Sequence, residues 1–429
     1  MTKTAAMRRE RSASEHSWVG ELSLRVLGAT LQILATWSLV RALTPEDAGI
    51  YFRGFVIALG VSTLLRGKYE IYMAQHIVGQ RATSTGISNG ALLMQLARRL
   101  LLRSSLLCAV LLVVAADLDI QAPQLQTVLQ TYLPFVLTLP CVSLSSLLGE
   151  ALRAANRTLG IVVATYAVNL SILIAVVIAP SGSSLALYSW AFLLGSLVTM
   201  GVALGLAWHV FPTTLAESSR PISRDVLHAV DSRELIGLAR GAQLWGPLCV
   251  LSVWAPPLQM AEYAVAARTA LIVDFFLPAL NLMGYRETLW DTRPVKASRL
   301  LFKQVAVALL YSSALILPLL AFAPTTLALY GKPYDSNLMV YALLLGVQWT
   351  NGAGRPAVRQ AVVDWDTRRI GVAVGSGAVA GVLICALGVA TYGALAAVAG
   401  SLIGALILNV CAILMVFRDR PCRGSRPAS

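Results

Sequence analysis

The chain has 429 residues, of which 57% are hydrophobic and 13% charged, and its formal net charge is +13. An average soluble domain has roughly 25% charged residues, so this composition excludes an ordinary water-soluble globular protein. The basic residues lie between long apolar blocks, which favours a membrane protein over a nucleic-acid-binding protein. Several blocks are long enough to cross a hydrocarbon layer, which takes about 20 apolar helical residues. The fold class is therefore predicted to be an all-α membrane protein.

Twelve transmembrane helices are predicted, with both termini in the cytoplasm. The first 17 residues are polar and basic and lack the apolar stretch of a cleaved signal peptide. With the N-terminus in the cytoplasm, the cytoplasmic segments hold 29 of the 34 Lys and Arg residues, and the outer segments hold three. This asymmetry supports both the number of spans and their orientation. The spans are predicted at 20–42, 49–65, 98–116, 127–148, 159–180, 185–211, 235–255, 261–284, 300–323, 338–354, 370–390 and 393–417.

The two halves of the chain share short sequence matches. Residues 156–160 open the fifth span much as residues 367–371 open the eleventh, and Tyr51 corresponds to Tyr263. Transporters built from such repeats usually place the substrate path between the repeats. The predicted organisation is a cytoplasmic tail (1–19), an N-terminal six-helix half (20–211), a cytoplasmic linker (212–234), a C-terminal six-helix half (235–417) and a basic cytoplasmic tail (418–429).

Charged residues within the spans are the strongest functional signal. An arginine at mid-membrane costs about 2.5–3.5 kcal/mol on insertion scales and normally faces a polar cavity or a partner. Arg25 in span 1, Arg53 in span 2 and Arg268 in span 8 are predicted to line a cationic cavity for an anionic headgroup. The alternative is that Arg25 and Arg53 extend to the interfaces and Arg268 pairs with a structural carboxylate. Helical spacing places five span 1 residues on one face, namely Glu21, Arg25, Gly28, Gln32 and Thr36.

Span 8 carries a second polar stripe, which Arg268 flanks. Asp274 is a candidate for binding a coupling proton or sodium ion, the alternative being a hydrogen bond to a neighbouring helix. Arg268 and Asp274 are six residues apart, so they point roughly 120° away from each other and are not expected to pair. Gln32 and Asn281 are the polar candidates for substrate contacts. The stripe consists of Tyr263, Ala267, Asp274, Asn281 and Tyr285.

Neither a metal site, a cofactor nor a catalytic residue is predicted. The four histidines show no ligand spacing. Asp364-Trp365-Asp366 spells the DxD motif of many sugar-nucleotide transferases, but no nucleotide-binding domain surrounds it. Small residues at a spacing of four predict close helix packing in span 11, at Gly371, Gly375, Gly377 and Gly381.

Four stretches resemble family motifs. Residues 41–51 (RALTPEDAGIY) are similar to a short acidic turn after span 1 followed by Gly-x-Tyr. Residues 262–268 (EYAVAAR) resemble a Tyr-to-Arg pattern that opens span 8. Residues 329–334 (LYGKPY) resemble an outer loop before span 10, and residues 391–397 (TYGALAA) resemble the turn between spans 11 and 12. Together they resemble the polysaccharide flippases of the O-antigen (Wzx) type, in the superfamily that includes the MATE-fold multidrug exporters.

This resemblance implies a MATE-like fold and translocation of a lipid-linked oligosaccharide across the cell inner membrane for polysaccharide export. The partners it implies are that substrate, membrane lipids and a polysaccharide polymerase. The related lipid II flippases carry cavity arginines on spans 1, 2 and 8, and Arg25, Arg53 and Arg268 look like their counterparts. Those flippases have extra spans, which argues against lipid II as the cargo. Residues 66–80 depart from the usual family pattern.

Two other functions remain open at this point. An ion-coupled exporter of small cationic drugs would be favoured by a cavity dominated by acidic residues. A membrane-embedded glycosyltransferase or ligase would need a sizeable outer loop with catalytic carboxylates or histidine, and the predicted outer loops are short. The protein is therefore not expected to be an enzyme.

Overall fold

The computed structural model describes residues 2–80, 88–121, 126–155, 167–178, 184–212, 226, 230–231, 233–273, 276, 294–335, 337–364 and 367–418. These residues form helices joined by turns, and no strand occurs among them. The prediction of an all-α chain is thus confirmed for the part of the chain that the structure describes.

The helices of the N-terminal part are α1 (Thr2–Ala42), α2 (Pro45–Gln80), α3 (Asn89–Gln121), α4 (Gln126–Ala155), α5 (Ala167–Ile178) and α6 (Leu185–Val210). Helix α4 packs against α2, α3 and α6, and α5 contacts α1 and α6. The apolar core of α2, α3 and α4 includes the fully buried side chains of Met73, Leu96 and Leu147. Burial of these large side chains against one another removes apolar surface from the helix faces that do not meet lipid.

The helices of the C-terminal part are α7 (Glu234–Trp254), α8 (Pro257–Ala270), α9 (Pro294–Ala321), α10 (Ala323–Ala328), α11 (Lys332–Asp335), α12 (Leu338–Asp364), α13 (Thr367–Tyr392) and α14 (Ala394–Arg418). Helix α14 packs against α12 and α13, and α9 packs against α12. These pairs match α6 with α4 and α5, and α3 with α4, in the N-terminal part. A repeat of six helices requires such a correspondence.

The start of α2 shows how one of the sequence motifs acts. Thr44 and Asp47 form a reciprocal cap, in which the Asp47 backbone N–H donates to the Thr44 hydroxyl at 3.1 Å. The Thr44 hydroxyl in turn donates to the Asp47 carboxylate at 2.8 Å. Pro45 takes the first helical position, where its missing N–H has no intrahelical partner to lose. The acidic turn of this motif is therefore a helix start.

Two glycines with positive φ make the turns of two other motifs. Gly331, at φ 111°, lies between α10 and α11, and the Tyr334 backbone N–H donates to its carbonyl at 3.0 Å. Gly393, at φ 52°, follows α13, and its N–H donates to the Val389 carbonyl at 2.9 Å. A residue with a Cβ would be strained at these angles. The motifs at 329–334 and 391–397 thus mark tight turns that end one helix and begin another.

Close packing of α13 on α14 confirms the prediction from the span 11 glycines at two positions. A Cβ on Gly381 would lie 2.7 Å from the carbonyl oxygen of Gly400. A Cβ on Gly377 would lie 2.7 Å from that of Gly404. The backbones of the two helices meet here, as small residues allow in membrane proteins.

Eight of the described helices are long and apolar enough to cross a membrane, by length and composition. Each of the twelve predicted spans overlaps a described helix, but the number twelve is not established. The described extents of α5 and α8 are 12 and 14 residues, too short to cross a bilayer of ordinary thickness. Helix α3 carries Arg98, Arg99 and Arg103, which lower its hydropathy.

The chain divides into two compact units. The first comprises Met1–Gly241 and Pro256–Ala264, and the second comprises Ala242–Ala255 and Val265–Ser429. Helices α7 and α8 therefore each contribute residues to both units. The boundaries predicted at residues 212 and 234 stay a prediction, because compactness alone does not define a functional half.

Candidate functional site

The polar stripe of α1 lies on the side of the helix that packs against protein. Thr36 and Gly28 are buried, and Arg25 and Gln32 are half-buried. The Thr36 hydroxyl donates to the Gln32 carbonyl at 2.8 Å, one turn back along the helix. The other faces of the helix carry exposed apolar side chains, at Val26, Leu27, Leu34 and Trp37. Arg25, Gly28, Gln32 and Thr36 of the predicted stripe thus lie on the inward face, while the side chain of Glu21 is outside the described part of the structure.

Arg53 lies beside an aromatic cluster of the first unit. It is half-buried on α2 and hydrogen-bonds to the hydroxyl of Tyr132 on α4. The adjacent Tyr51 ring meets Phe135 edge-on, with ring centroids 5.4 Å apart. The Phe135 ring also occupies the space that a Cβ on Gly54 would need. Packing of α2 on α4 thereby sets the position of Arg53.

The second unit buries Arg268. Arg268 lies near the end of α8, beside Thr269 and Tyr330, and is 9% exposed. The Thr269 hydroxyl lies 2.8 Å from the Val265 carbonyl oxygen, to which it donates, and 3.0 Å from the Tyr330 hydroxyl. Burial raises the pKa of Tyr330, and the Thr269 hydrogen bond and the charge of Arg268 oppose that rise. Arg268 is therefore part of a buried polar group, which we call the Arg268 cluster (Arg268, Thr269, Tyr330 and Tyr341).

Tyr341 extends this cluster on α12. The residue is fully buried, lies close enough to Tyr330 to interact electrostatically, and its hydroxyl has no hydrogen-bond partner among the described residues. Gln348 lies two turns further along the same face of α12, and its buried Oε1 is likewise without a partner in the described part of the chain. Buried polar atoms are normally satisfied, so these two are suited to receive a ligand or water.

The predicted site residues that the structure describes are divided between the two units. Arg25, Gln32 and Arg53 belong to the first unit, and Arg268 belongs to the second. Asp274 and Asn281 lie outside the described residues. Tyr132, Thr269 and Tyr341 were not predicted, because isolated tyrosines and threonines in apolar helices carry no signal of their own. Tyr330 belongs to the motif at 329–334, and this motif was the sequence signal that could have identified it.

A second charged group was also missed. The Lys68 ammonium on α2 lies 2.9 Å from the Asp231 carboxylate and 3.2 Å from the Glu234 carboxylate. The hydrogen bond from Lys68 lowers the pKa of Asp231, and the charges of Lys68, Arg103 and Arg99 act in the same direction. The contact is therefore kept at neutral pH and lost only as the pH falls through that lowered pKa. Lys68 falls within residues 66–80, the stretch that departs from the family pattern.

No group of three or more His, Cys, Asp and Glu side chains in the described part of the chain is placed to hold a metal ion. The titratable groups that the structure brings together are instead arginines, a lysine, tyrosines and paired carboxylates. The arginine, lysine and tyrosine side chains among them can bind and orient anions by hydrogen bonds, which are charge-assisted for arginine and lysine.

Known proteins resemble this chain in structure rather than in sequence. Neither a family model nor a curated protein matches it. The lipid II flippase MurJ, in an inward closed conformation, aligns with a TM-score of 0.69 and 12% identity, over 92% of this chain and 87% of that one. An outward-facing multidrug resistance MATE family transporter of the MOP superfamily aligns with a TM-score of 0.66 and 15% identity, over 94% and 95% of the two chains.

A MOP superfamily transporter from Pyrococcus furiosus also aligns, with a TM-score of 0.58 and 15% identity over 94% of each chain. Reversed polarity of its binding pocket suggests a different function for that protein. The chain therefore has the fold of the MOP superfamily, which the MATE transporters share. At these identities the likeness establishes the fold alone, and the expected MATE-like architecture is confirmed at that level.

Proposed function

We propose that the protein is a flippase that moves a lipid-linked oligosaccharide from the inner to the outer leaflet of the cell inner membrane for polysaccharide export. The pyrophosphate of the substrate would bind arginines, the sugars would meet polar side chains such as Gln32, and the lipid tail would stay in the bilayer. The burial of Arg268 is the observation that carries the proposal.

The burial of a charged arginine in an apolar helix requires a physical explanation. Keeping its charge there is costly, and that charge acts on the Tyr330 hydroxyl, which lies 3.0 Å from the Thr269 hydroxyl and close to Tyr341. A guanidinium group offers two parallel donors to a phosphate, and hydroxyls add donors without adding charge. Arg25 and Arg53, half-buried in the first unit, add further cationic groups. This chemistry suits a phosphate-bearing substrate.

The second candidate is an ion-coupled exporter of small molecules. The alignment with multidrug resistance MATE transporters over 94% of the chain favours it. Arg53 and Arg268 carry positive charges, however, which would repel a cationic drug. Asp274, the residue proposed for ion coupling, would serve either function.

Deletion of the gene separates the two functions. A flippase deletion strain should accumulate lipid-linked oligosaccharide on the inner leaflet and lose surface polymer. The amount of substrate in the inner leaflet is measured in inverted membrane vesicles, as the fraction that a glycosidase added to the medium can cleave. Normal surface polysaccharide together with new sensitivity to cationic drugs would instead establish the exporter.

Substitution of Arg268 tests the role of the residue itself. Arg268→Lys keeps the charge but loses the paired donors, so it should retain part of the transport. Arg268→Ala should abolish transport while the protein reaches the membrane in normal amount. Lys332→Ala, which removes an exposed cation of the same unit, is the matched control and should transport normally. Normal transport by Arg268→Ala would show that the proposed role is wrong, and loss of the protein would favour a structural ion pair.

A further inference from the structure

A charged group around the second half of α2 is separate from the arginines to which the proposed function assigns the substrate. It consists of Lys68 on α2, Arg99 and Arg103 on α3, Asp231 just before α7 and Glu234 at the start of α7, all within the first unit. We call it the linker cluster, because the carboxylates end the predicted linker 212–234. Loop charge assigns this face of the protein to the cytoplasm.

The cation of the linker cluster is fixed, and its partners are exposed. The Lys68 side chain is 6% exposed, whereas those of Asp231 and Glu234 are 60% and 51% exposed. The Lys68 ammonium and the Arg103 guanidinium both lie over the Tyr69 ring, 5.6 Å and 5.7 Å from its centroid. A buried ammonium requires an anionic partner, but nothing in this geometry requires that partner to be a carboxylate of the same chain.

Close backbone packing holds the cation in place. A Cβ on Gly67 would lie 2.9 Å from the Cα of Gly237, and a Cβ on Gly237 would lie 2.6 Å from the backbone nitrogen of Lys68. Val230, next to Asp231, is buried in the apolar core of the unit. The backbone therefore anchors the segment, while the two carboxylate side chains are free to turn into solvent.

The charges of the linker cluster do not cancel. Lys68 contacts both carboxylates, and the positive charges of Arg99 and Arg103 also act on Asp231, so three cations stand against two carboxylates. Nearby Arg66 is already paired with Glu70 at 3.2 Å, and Arg233 lies over the Tyr72 ring. An incoming diphosphate carries at least two negative charges, so it could replace both carboxylates as the counter-ion of these cations.

The surface of α3 extends the cluster into an apolar track. Arg99 shares one helical face with exposed apolar side chains at spacings of three and four, at Leu102, Leu106, Val110 and Val113. A molecule with a phosphate head and an apolar tail could place the head on Arg99 and the tail along this face.

We propose that Lys68, Arg99 and Arg103 form an entry site for the diphosphate headgroup of a membrane lipid, which Asp231 and Glu234 occupy until the headgroup displaces them. This inference rests on the proposed function, because the lipid diphosphate is the chemistry of that substrate. The linker carboxylates then compete with the substrate and set how readily it is captured from the cytoplasmic leaflet.

Binding of farnesyl diphosphate to the purified full-length protein in nanodiscs tests the proposal. The double variant Asp231→Asn with Glu234→Gln should bind the probe roughly tenfold more tightly than the unmodified protein, since it removes the competing anions. Its thermal stability should be lower without the probe and should rise more on adding it. Lys68→Gln and the double variant Arg99→Gln with Arg103→Gln should each weaken binding by a similar factor. Arg98→Gln, which removes an exposed cation absent from the cluster, should bind as the unmodified protein does.

Several results would overturn the proposal. Unchanged binding in the Asp231 and Glu234 double variant would show that the carboxylates only stabilise the fold. An equal gain for phosphatidylglycerol would show a general anionic-lipid surface, and an equal gain for inorganic pyrophosphate would show that the lipid tail has no part in recognition. The binding measurement involves no transport. Its result therefore does not depend on whether Arg268→Ala abolishes transport, and the two proposals can fail separately.

Discussion

Buried polar side chains differ in what they contribute to the fold of this protein. Tyr330 and Tyr341 are both buried tyrosines of the second unit, but only Tyr330 has a hydrogen bond to Thr269. The Tyr341 hydroxyl has no partner among the described residues. A hydrogen bond stabilises the folded state modestly, whereas an unsatisfied buried hydroxyl destabilises it. Replacement of each tyrosine by phenylalanine is therefore expected to affect the free energy of unfolding differently.

Tyr330→Phe should lower the free energy of unfolding by about 1 kcal/mol, because it removes a hydrogen bond. Tyr341→Phe should leave stability unchanged or raise it, yet reduce transport if its hydroxyl contacts the substrate. Thermal unfolding in detergent and transport should be measured for both variants. Equal destabilisation by the two changes would show that the Tyr341 hydroxyl has a structural partner.

At the scale of helices, the packing of α13 on α14 depends on the absence of side chains. The closest approach is between Gly381 and Gly400, where a Cβ would meet a backbone oxygen that cannot rotate away. Gly201 on α6 has no atom within 4 Å of the position of an added Cβ. Substitution of each glycine by alanine should therefore distinguish the effect of helix packing on stability from the effect of helix propensity.

Gly381→Ala should destabilise the protein, because α13 and α14 must move apart to admit the methyl group. Gly201→Ala should be neutral or should stabilise the helix by up to about 1 kcal/mol, the difference in propensity between the two residues. Thermal unfolding of the two variants checks this. A stable Gly381→Ala protein would mean that the two helices are not in backbone contact.

For the whole molecule, the fold is that of the MOP superfamily, while the number of spans and their orientation stay predictions. The alignments cover more than nine-tenths of this chain. Eight helices meet the length and composition of a span, and the loop charges support twelve. Topology is therefore the property of the whole chain that most needs a direct measurement.

Reporter fusions measure the topology. Fusions after Ser429 and within 212–234 should report the cytoplasm, because both follow an even number of spans in the twelve-helix prediction. A fusion near Lys332 should report the outer side. A cytoplasmic signal near Lys332 would contradict the twelve-span topology, and it would also place the linker cluster on an unassigned face.

Sequence by itself determined the helices, the inward stripe of α1, the glycine packing of α13 and the cations within apolar helices. These features depend on residue type and on spacings of a few residues, which the helical period converts directly into a shared face. Gly331 and Gly393 are of the same kind, because a turn with positive φ selects glycine locally.

Tertiary structure alone decided which distant residues meet. Thr269 and Tyr330 are 61 positions apart, and Lys68 and Asp231 are 163 apart. No periodic pattern connects such residues, since their contact depends on how α8 packs beside the turn after α10 and how the start of α7 packs on α2. The same packing decides that Lys68 is buried while its carboxylate partners stay exposed. Burial and partnership, and hence the two proposed binding sites, are consequences of side-chain packing that spacing along the chain does not encode.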